Sequence, residues 1–106
     1  MDKKIAIVTP SYGEFKSIPA LIKKIRKILP KAEIVIVDDS PKDENLMLKT
    51  LLKKEKNVKV ISRFKKLGRG SAVLAGFKEA FKNKAMEYFF EMDSDLAHNP
   101  SQIPVF

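Results

Sequence analysis

Four short apolar runs, rich in β-branched residues, punctuate the chain. Lys4-Ile5-Ala6-Ile7-Val8-Thr9 is stopped by Pro10-Ser11-Tyr12-Gly13-Glu14, and Glu33-Ile34-Val35-Ile36-Val37 by Asp38-Asp39-Ser40-Pro41. Val58-Lys59-Val60-Ile61-Ser62 leads into a basic, Gly-punctuated loop from Arg63 to Gly70, and a fourth run, about Tyr88 to Met92, leads into Asp93-Ser94-Asp95. Runs of this length, bounded by turn residues, predict buried strands. Between them the apolar spacing becomes helical. Ile18, Leu21, Ile22, Ile25, Ile28 and Leu29 fall on one face, with Lys23, Lys24, Arg26 and Lys27 on the other. Ser17 is the predicted N-cap, Pro19 is tolerated in the first turn, and Pro30 ends the helix. A second helix is predicted from about Asp43 to Lys54, carrying Leu46, Leu48, Leu51 and Leu52. A third runs from Ser71 to Lys82, with Ala72, Leu74, Ala75, Phe77, Ala80 and Phe81 available for packing. Ser101 and Pro104 hint at the start of another.

Strands alternating with helices predict an α/β fold, a mostly parallel sheet of about four strands with helices on both faces. The 106 residues make one domain or part of one. Ligands of such sheets bind beyond the carboxyl ends of the strands. The unusual polar residues fall there: Tyr12 and Glu14, Asp38 and Asp39, Arg63 and Lys66, Asp93 and Asp95.

Charge points to a class of partner. The net charge of +8 suggests a polyanion: nucleic acid, an anionic membrane surface or a phosphorylated substrate. The lysines are spread along helical faces rather than clustered with aromatics, and no DNA- or RNA-reading motif is present, so no nucleic acid is expected. A non-catalytic basic α/β module that binds nucleic acid or an anionic membrane surface is the alternative reading. The absence of cysteine excludes disulfides and thiolate metal sites and fits a cytoplasmic setting, and a single histidine, His98, excludes a His-rich zinc site. The opening Met1-Asp2-Lys3-Lys4 reads as the approach to a strand, not as a signal peptide.

The acidic run carries the candidate chemistry. On an extended backbone Glu91, Asp93 and Asp95 point the same way. Two carboxylates about 6 Å apart repel by roughly 3 kcal/mol at an effective dielectric of about 20. A divalent cation reverses that sign, and Mg²⁺ or Mn²⁺ favours oxygen ligands shared with substrate phosphates. The dinucleotide fingerprint is missing from the turn after the first strand, where Pro10-Ser11-Tyr12-Gly13-Glu14 stands, and a Gly-Lys-Ser/Thr phosphate loop is absent.

A different family fits. Pro10-Ser11-Tyr12-Gly13-Glu14 resembles the Pro-x-Tyr-x-Glu loop of family 2 glycosyltransferases, and Val37-Asp38-Asp39-Ser40-Pro41 their Val-Asp-Asp segment. Arg63, Leu67-Gly68-Arg69-Gly70-Ser71-Ala72 and Gly76 resemble the loop and helix after strand three. Met92-Asp93-Ser94-Asp95-Leu96-Ala97-His98-Asn99-Pro100 and Ile103-Pro104 resemble the Asp-x-Asp segment. The subgroup most alike is the dolichol-phosphate (polyprenyl-phosphate) mannosyltransferases.

The resemblance implies a Rossmann-like GT-A fold whose N-terminal half binds a nucleotide-diphosphate sugar, such as GDP-mannose or a UDP-sugar. Carried over by position, Pro10, Tyr12 and Glu14 line the nucleoside pocket, and Val37 and Asp39 meet the base or ribose. Asp93, Ser94 and Asp95 face ribose and diphosphate; Asp93 and Asp95 hold Mg²⁺ or Mn²⁺, with Asp95 the main ligand. No catalytic residue is expected within this half. The acceptor, a lipid phosphate or a glycan, belongs to a second half, so the chain is expected to be inactive or nearly so alone. Strand four, with Tyr88, Phe89 and Phe90, is expected to be a bare edge open to self-association. The full-length protein is expected in the cytoplasm, at the cytoplasmic face of a membrane. Two positions depart from the pattern: Ala97 replaces a Gln or Ser that helps hold the metal, and Glu91 replaces an apolar residue.

Overall fold

A computed structural model describes residues 4–92. The elements follow in the order β1 (Ile5–Ser11), α1 (Ile18–Ile28), β2 (Glu33–Asp38), α2 (Lys42–Leu52), β3 (Val58–Ser62), α3 (Arg69–Phe81) and β4 (Tyr88–Glu91). The strands form one parallel sheet in the order β3-β2-β1-β4. The predicted alternation and parallel sheet are therefore present.

Strand alternation divides the core in two. Ile5, Ile7, Ile34 and Ile36 pack with Ile18, Leu21, Ile22 and Ile25 of α1 and Leu48 and Leu52 of α2. Ala6, Val8, Val35 and Val37 point to the other face, against Ala72 and Ala80 of α3. The central strands β1 and β2 are buried along their whole length, as their unbroken apolar runs require. The outer strands β3 and β4 are half-buried.

Several details differ from the sequence pattern. Ser17 holds the N-cap position of α1, as predicted, but makes no side-chain cap bond: its backbone is already helical, and its hydroxyl donates to the Glu14 carbonyl at 3.2 Å. Leu29 lies just past the helix end. Arg26, expected on a solvated face, ties that end down through Nη1 to the Ala32 carbonyl (2.5 Å) and Nη2 to the Lys56 carbonyl (2.6 Å). In α2 the buried face is Asn45, Leu48 and Leu52, while Leu46 and Leu51 are 63% and 51% exposed. Leu74 and Phe81 of α3 are also exposed, because small residues face the sheet there. A Cβ on Gly76 would stand 2.2 Å from Val8 Cγ1, so only glycine allows α3 this close to β1.

Among the described residues β4 is an edge, as expected, but its side chains are not bare. Tyr88 and Phe90 pack on the α1 side of the core, and Phe89 meets Phe81 edge-to-face at 4.6 Å between centroids. No helix among the described residues is long and apolar enough to cross a membrane.

Candidate functional site

Register places the ends of three strands side by side. Ser11 of β1 is level with Asp38 of β2, and Asp38 with Ser62 of β3. The loops after these strands therefore open at one edge of the sheet. Strand alternation sends the two consecutive aspartates to opposite faces, and each meets a different set of partners.

Asp38 turns toward α2 and is buried. Its Oδ1 accepts from Ser40 Oγ at 2.7 Å and its Oδ2 from Asn45 Nδ2 at 2.8 Å. Ser40 Oγ in turn accepts the Gly13 N–H at 2.7 Å, and Asn45 Oδ1 accepts from Ser62 Oγ at 3.1 Å. A buried carboxylate requires such donors. The carboxamide orientation follows from the same logic, since the reverse would set its oxygen against the carboxylate.

Asp39 turns toward α3. Arg63 Nε reaches its Oδ1 at 2.6 Å and Nη2 its Oδ2 at 2.7 Å, while the Leu67 N–H donates to Oδ2 at 3.3 Å. Arg63 Nη1 continues to Ser71 Oγ at 2.8 Å. The hydrogen bonds to Asp39 hold the Arg63 pKa above its usual value, against an opposing effect of burial. Arg63 is thus a bridge between the second and third loops, with its side chain only 14% exposed, rather than a solvated residue.

Tyr12 follows β1 and remains 45% exposed, with Lys66 Nζ 5.0 Å from its ring centroid. Gly13, with φ of 69°, turns the chain there, and the Glu14 carbonyl receives the Ser17 and Ile18 amides at the entry to α1. Pro10 lies buried within β1, level with Val37. The Val37 side chain is fully buried in the core beneath α3. Hence Pro10, Tyr12, Glu14, Val37 and Asp39 all lie near the carboxyl ends of β1 and β2, but Pro10 and Val37 are buried, and Tyr12 presents the open face.

Asp93, Ser94 and Asp95 lie outside the described residues, as do Ala97 and His98. Up to Met92, whose N–H donates to the Val8 carbonyl at 3.0 Å, β4 tracks β1 toward the same edge. Glu91 pairs with Arg69 at the start of α3, which accounts for a charged residue at that position. Among the described residues no group of His, Cys, Asp or Glu could hold a metal ion. Asp38 and Asp39 are engaged by protein donors, so neither fits that role. The metal expectation therefore rests on Asp93 and Asp95.

Asn45 and Ser62 are the site residues that sequence reasoning missed. The available signal was an Asn at the 45–48–52 spacing of a buried helical face. Taken together, the edge offers an open aromatic ring, a fixed carboxylate–guanidinium pair and a loop carrying Lys65 and Lys66, with Arg69 opening α3 behind it. That combination suits a ligand with a flat ring and an anionic tail.

Residues 6–106 match the sequence model of glycosyl transferase family 2. The chain is 30% identical over 102 residues to an undecaprenyl-phosphate mannosyltransferase of Micrococcus luteus, covering 95% of this chain and 42% of the relative. It is 38% identical over 103 residues to a dolichol-phosphate mannosyltransferase of Pyrococcus furiosus, covering 95% and 28%. A third relative, an undecaprenyl-phosphate 4-deoxy-4-formamido-L-arabinose transferase of Yersinia pestis, is 33% identical over 108 residues, covering 96% and 32%. The chain thus spans less than half the length of each. The crystal structure of S. aureus TarS 1-349 superposes with a TM-score of 0.66 at 24% identity, over 87% of this chain and 27% of that one. This likeness shows the fold, the GT-A arrangement expected from the resemblance.

Proposed function

The chain belongs to glycosyl transferase family 2, and on that premise we propose that it forms the donor-binding part of an enzyme transferring a sugar to a polyprenyl-phosphate acceptor. The donor class is a nucleotide-diphosphate sugar, GDP- or UDP-linked. The observation that carries this reading is the convergence of Tyr12, the Asp39–Arg63 pair and the basic loop on one edge of the sheet. Tyr12 offers a face on which a base can stack, worth about 1–3 kcal/mol per base. The oxygens of Asp39 accept from base or ribose at a position that Arg63 fixes in advance, so little ordering is left for the ligand to impose. Lys65, Lys66 and Arg69 give a positive surface for the diphosphate.

Mg²⁺ or Mn²⁺ at Asp93 and Asp95 would supply a Lewis acid for the departing nucleoside diphosphate. The acceptor class follows from the names of the relatives, which act on undecaprenyl and dolichol phosphates. A phosphate acceptor is itself nucleophilic, so this half needs no base of its own. We extend the proposal to pairing of two copies through β4, an edge of the sheet among the described residues.

Thermal unfolding of the full chain with GDP, UDP or CMP, each with and without Mn²⁺, tests the reading. A nucleotide at tenfold its dissociation constant adds about 1.4 kcal/mol, or roughly 5–10 °C for a domain of this size. The expected result is a shift for one nucleotide that requires Mn²⁺ and disappears in Asp95→Asn. No shift with any of the three would overturn it.

A further inference from the structure

The hydrogen bonds around Asp38 share one direction. Gly13 donates to Ser40 and Ser40 to Asp38; on the other side Ser62 donates to Asn45 and Asn45 to Asp38. Both arms end on one buried anion, and each bond polarises the next toward it. The arms also start on different elements. One begins in the turn that carries Tyr12, the other at the end of β3, where Arg63 follows directly. Asn45 belongs to neither loop; it enters from α2 and is almost wholly buried.

We propose that Asn45 is a positioning residue for the donor pocket, holding the Tyr12 turn, the Asp38-Asp39 turn and the end of β3 in mutual register through Asp38. The inference rests on the donor-binding reading. A carboxamide is neutral and donates to Asp38 Oδ2 through its nitrogen while its separate oxygen accepts from Ser62, spanning the two partners. A leucine would fill the helix face but leave an Asp38 oxygen and the Ser62 hydroxyl without partners. An aspartate has the right shape and still accepts from Ser62, yet donates to Asp38 only when protonated. Asp38 is the titratable group facing it; its other neighbours, Ser40, Ser62 and the Gly13 amide, are neutral, and the Asp39–Arg63 pair lies toward α3. Two desolvated carboxylates in contact share a proton up to unusually high pH, so Asn45→Asp becomes a pH-gated version of the native contact.

The experiment measures affinity for whichever of GDP, UDP or CMP the wild-type chain binds, by calorimetry at a temperature where each variant is folded. Asn45→Leu is expected to lose about tenfold or more in affinity, as expected when a supporting hydrogen-bond partner is removed. Asn45→Asp is expected to show a similar loss relative to wild type at about pH 8 and to regain most of it by about pH 5.5. A residue that only stabilised the fold would lower the melting temperature without moving the affinity of the folded protein, or its pH profile relative to wild type. Should Asn45→Leu fail to fold, Asn45→Asp carries the test alone. Wild-type affinity in Asn45→Asp across the pH range would overturn the inference. Failure of the wild type itself to bind any nucleotide would instead overturn the donor-binding reading, and the inference with it.

Discussion

Arg63 grips Asp39 from 24 residues away with two hydrogen bonds, Nε to Oδ1 at 2.6 Å and Nη2 to Oδ2 at 2.7 Å. The pair joins the second and third loops of the site, and both side chains are largely withdrawn from solvent. Removing one partner of a buried ion pair leaves an uncompensated charge, so Arg63→Ala is expected to cost about 3 kcal/mol of stability. Arg63→Lys should fall between, because an ammonium lacks the planar fork that serves both oxygens. Adding Asp39→Asn to Arg63→Ala should recover part of the loss by removing the orphaned charge. Urea unfolding checks all three; an Arg63→Ala variant within about 0.5 kcal/mol of wild type would contradict this account.

This pair also marks how far the sequence could be read. The sheet and its helices were legible because β1 and β2 each hold an unbroken run of four apolar residues and turn residues close each run. The placement of Tyr12 and Asp39 at strand ends was legible for the same reason. What Arg63 and Asn45 do was not, because each is defined by a partner on another element. Asn45 shares the helical stripe of Leu48 and Leu52, but its polar side chain suggests solvent, and the four leucines of α2 draw attention to Leu46 and Leu51, which face outward. The polar seat at 45 makes sense only once Asp38 is known to lie across from it. Arg26 misleads in the same way: its neighbours Lys23, Lys24 and Lys27 suggest a solvated face, while its guanidinium collects carbonyls from two other segments.

Gly76 sets the spacing between α3 and the sheet. In Gly76→Ala the new methyl would collide with Val8 Cγ1 and crowd Val37 Cγ2, which would stand 3.1 Å away. Overpacking of this kind costs about 1–3 kcal/mol, more than the roughly 1 kcal/mol that alanine gains over glycine in a helix. Net destabilisation is expected. Coupling to Val8 gives the sharper check: Gly76→Ala with Val8→Ala should be less destabilised than the sum of the two single variants. Simple additivity would mean the contact is not the cause.

Tyr12 is expected to matter for ligand and hardly for fold. Its ring is half in solvent, so Tyr12→Ala should change stability by less than about 1 kcal/mol, the upper range for a partly exposed contact with a lysine. Nucleotide affinity should fall about tenfold, in line with the loss of one base–aromatic stack, while Tyr12→Phe should retain it. Equal affinity in Tyr12→Ala would place the base elsewhere.

Glu79 supplies a pH-dependent contribution far from the site. Its pKa is lowered by a hydrogen bond from Lys82 and by the charges of Lys82 and Lys59. A carboxylate with a lowered folded-state pKa stabilises above its unfolded value, and that contribution disappears as pH falls through the folded one. Glu79→Gln should therefore be slightly less stable than wild type at pH 7, by no more than about 0.5 kcal/mol, because both lysine partners are exposed to screening. The two should converge between about pH 5 and pH 3, and in high salt at any pH. A gap that widened on acidification would have the wrong sign for this mechanism.

Glu91 breaks the apolar character of its strand, and Arg69 is the charge that answers it. The two side chains are 37% and 51% exposed, so screening by water limits the pair to about 0.2–1 kcal/mol. Among the described residues position 91 lies on an edge strand, where a charge also discourages pairing with another sheet. These effects separate experimentally. Glu91→Val should leave the stability of the dilute chain within about 1 kcal/mol of wild type, because lost ion pairing is offset by better strand propensity. Its tendency to associate at high concentration should rise, since a charge has been removed from the β4 edge. Light scattering over a concentration series distinguishes the outcomes. Association unchanged in Glu91→Val would mean that β4 is covered in solution, and the proposed pairing of copies through that edge would fall with it.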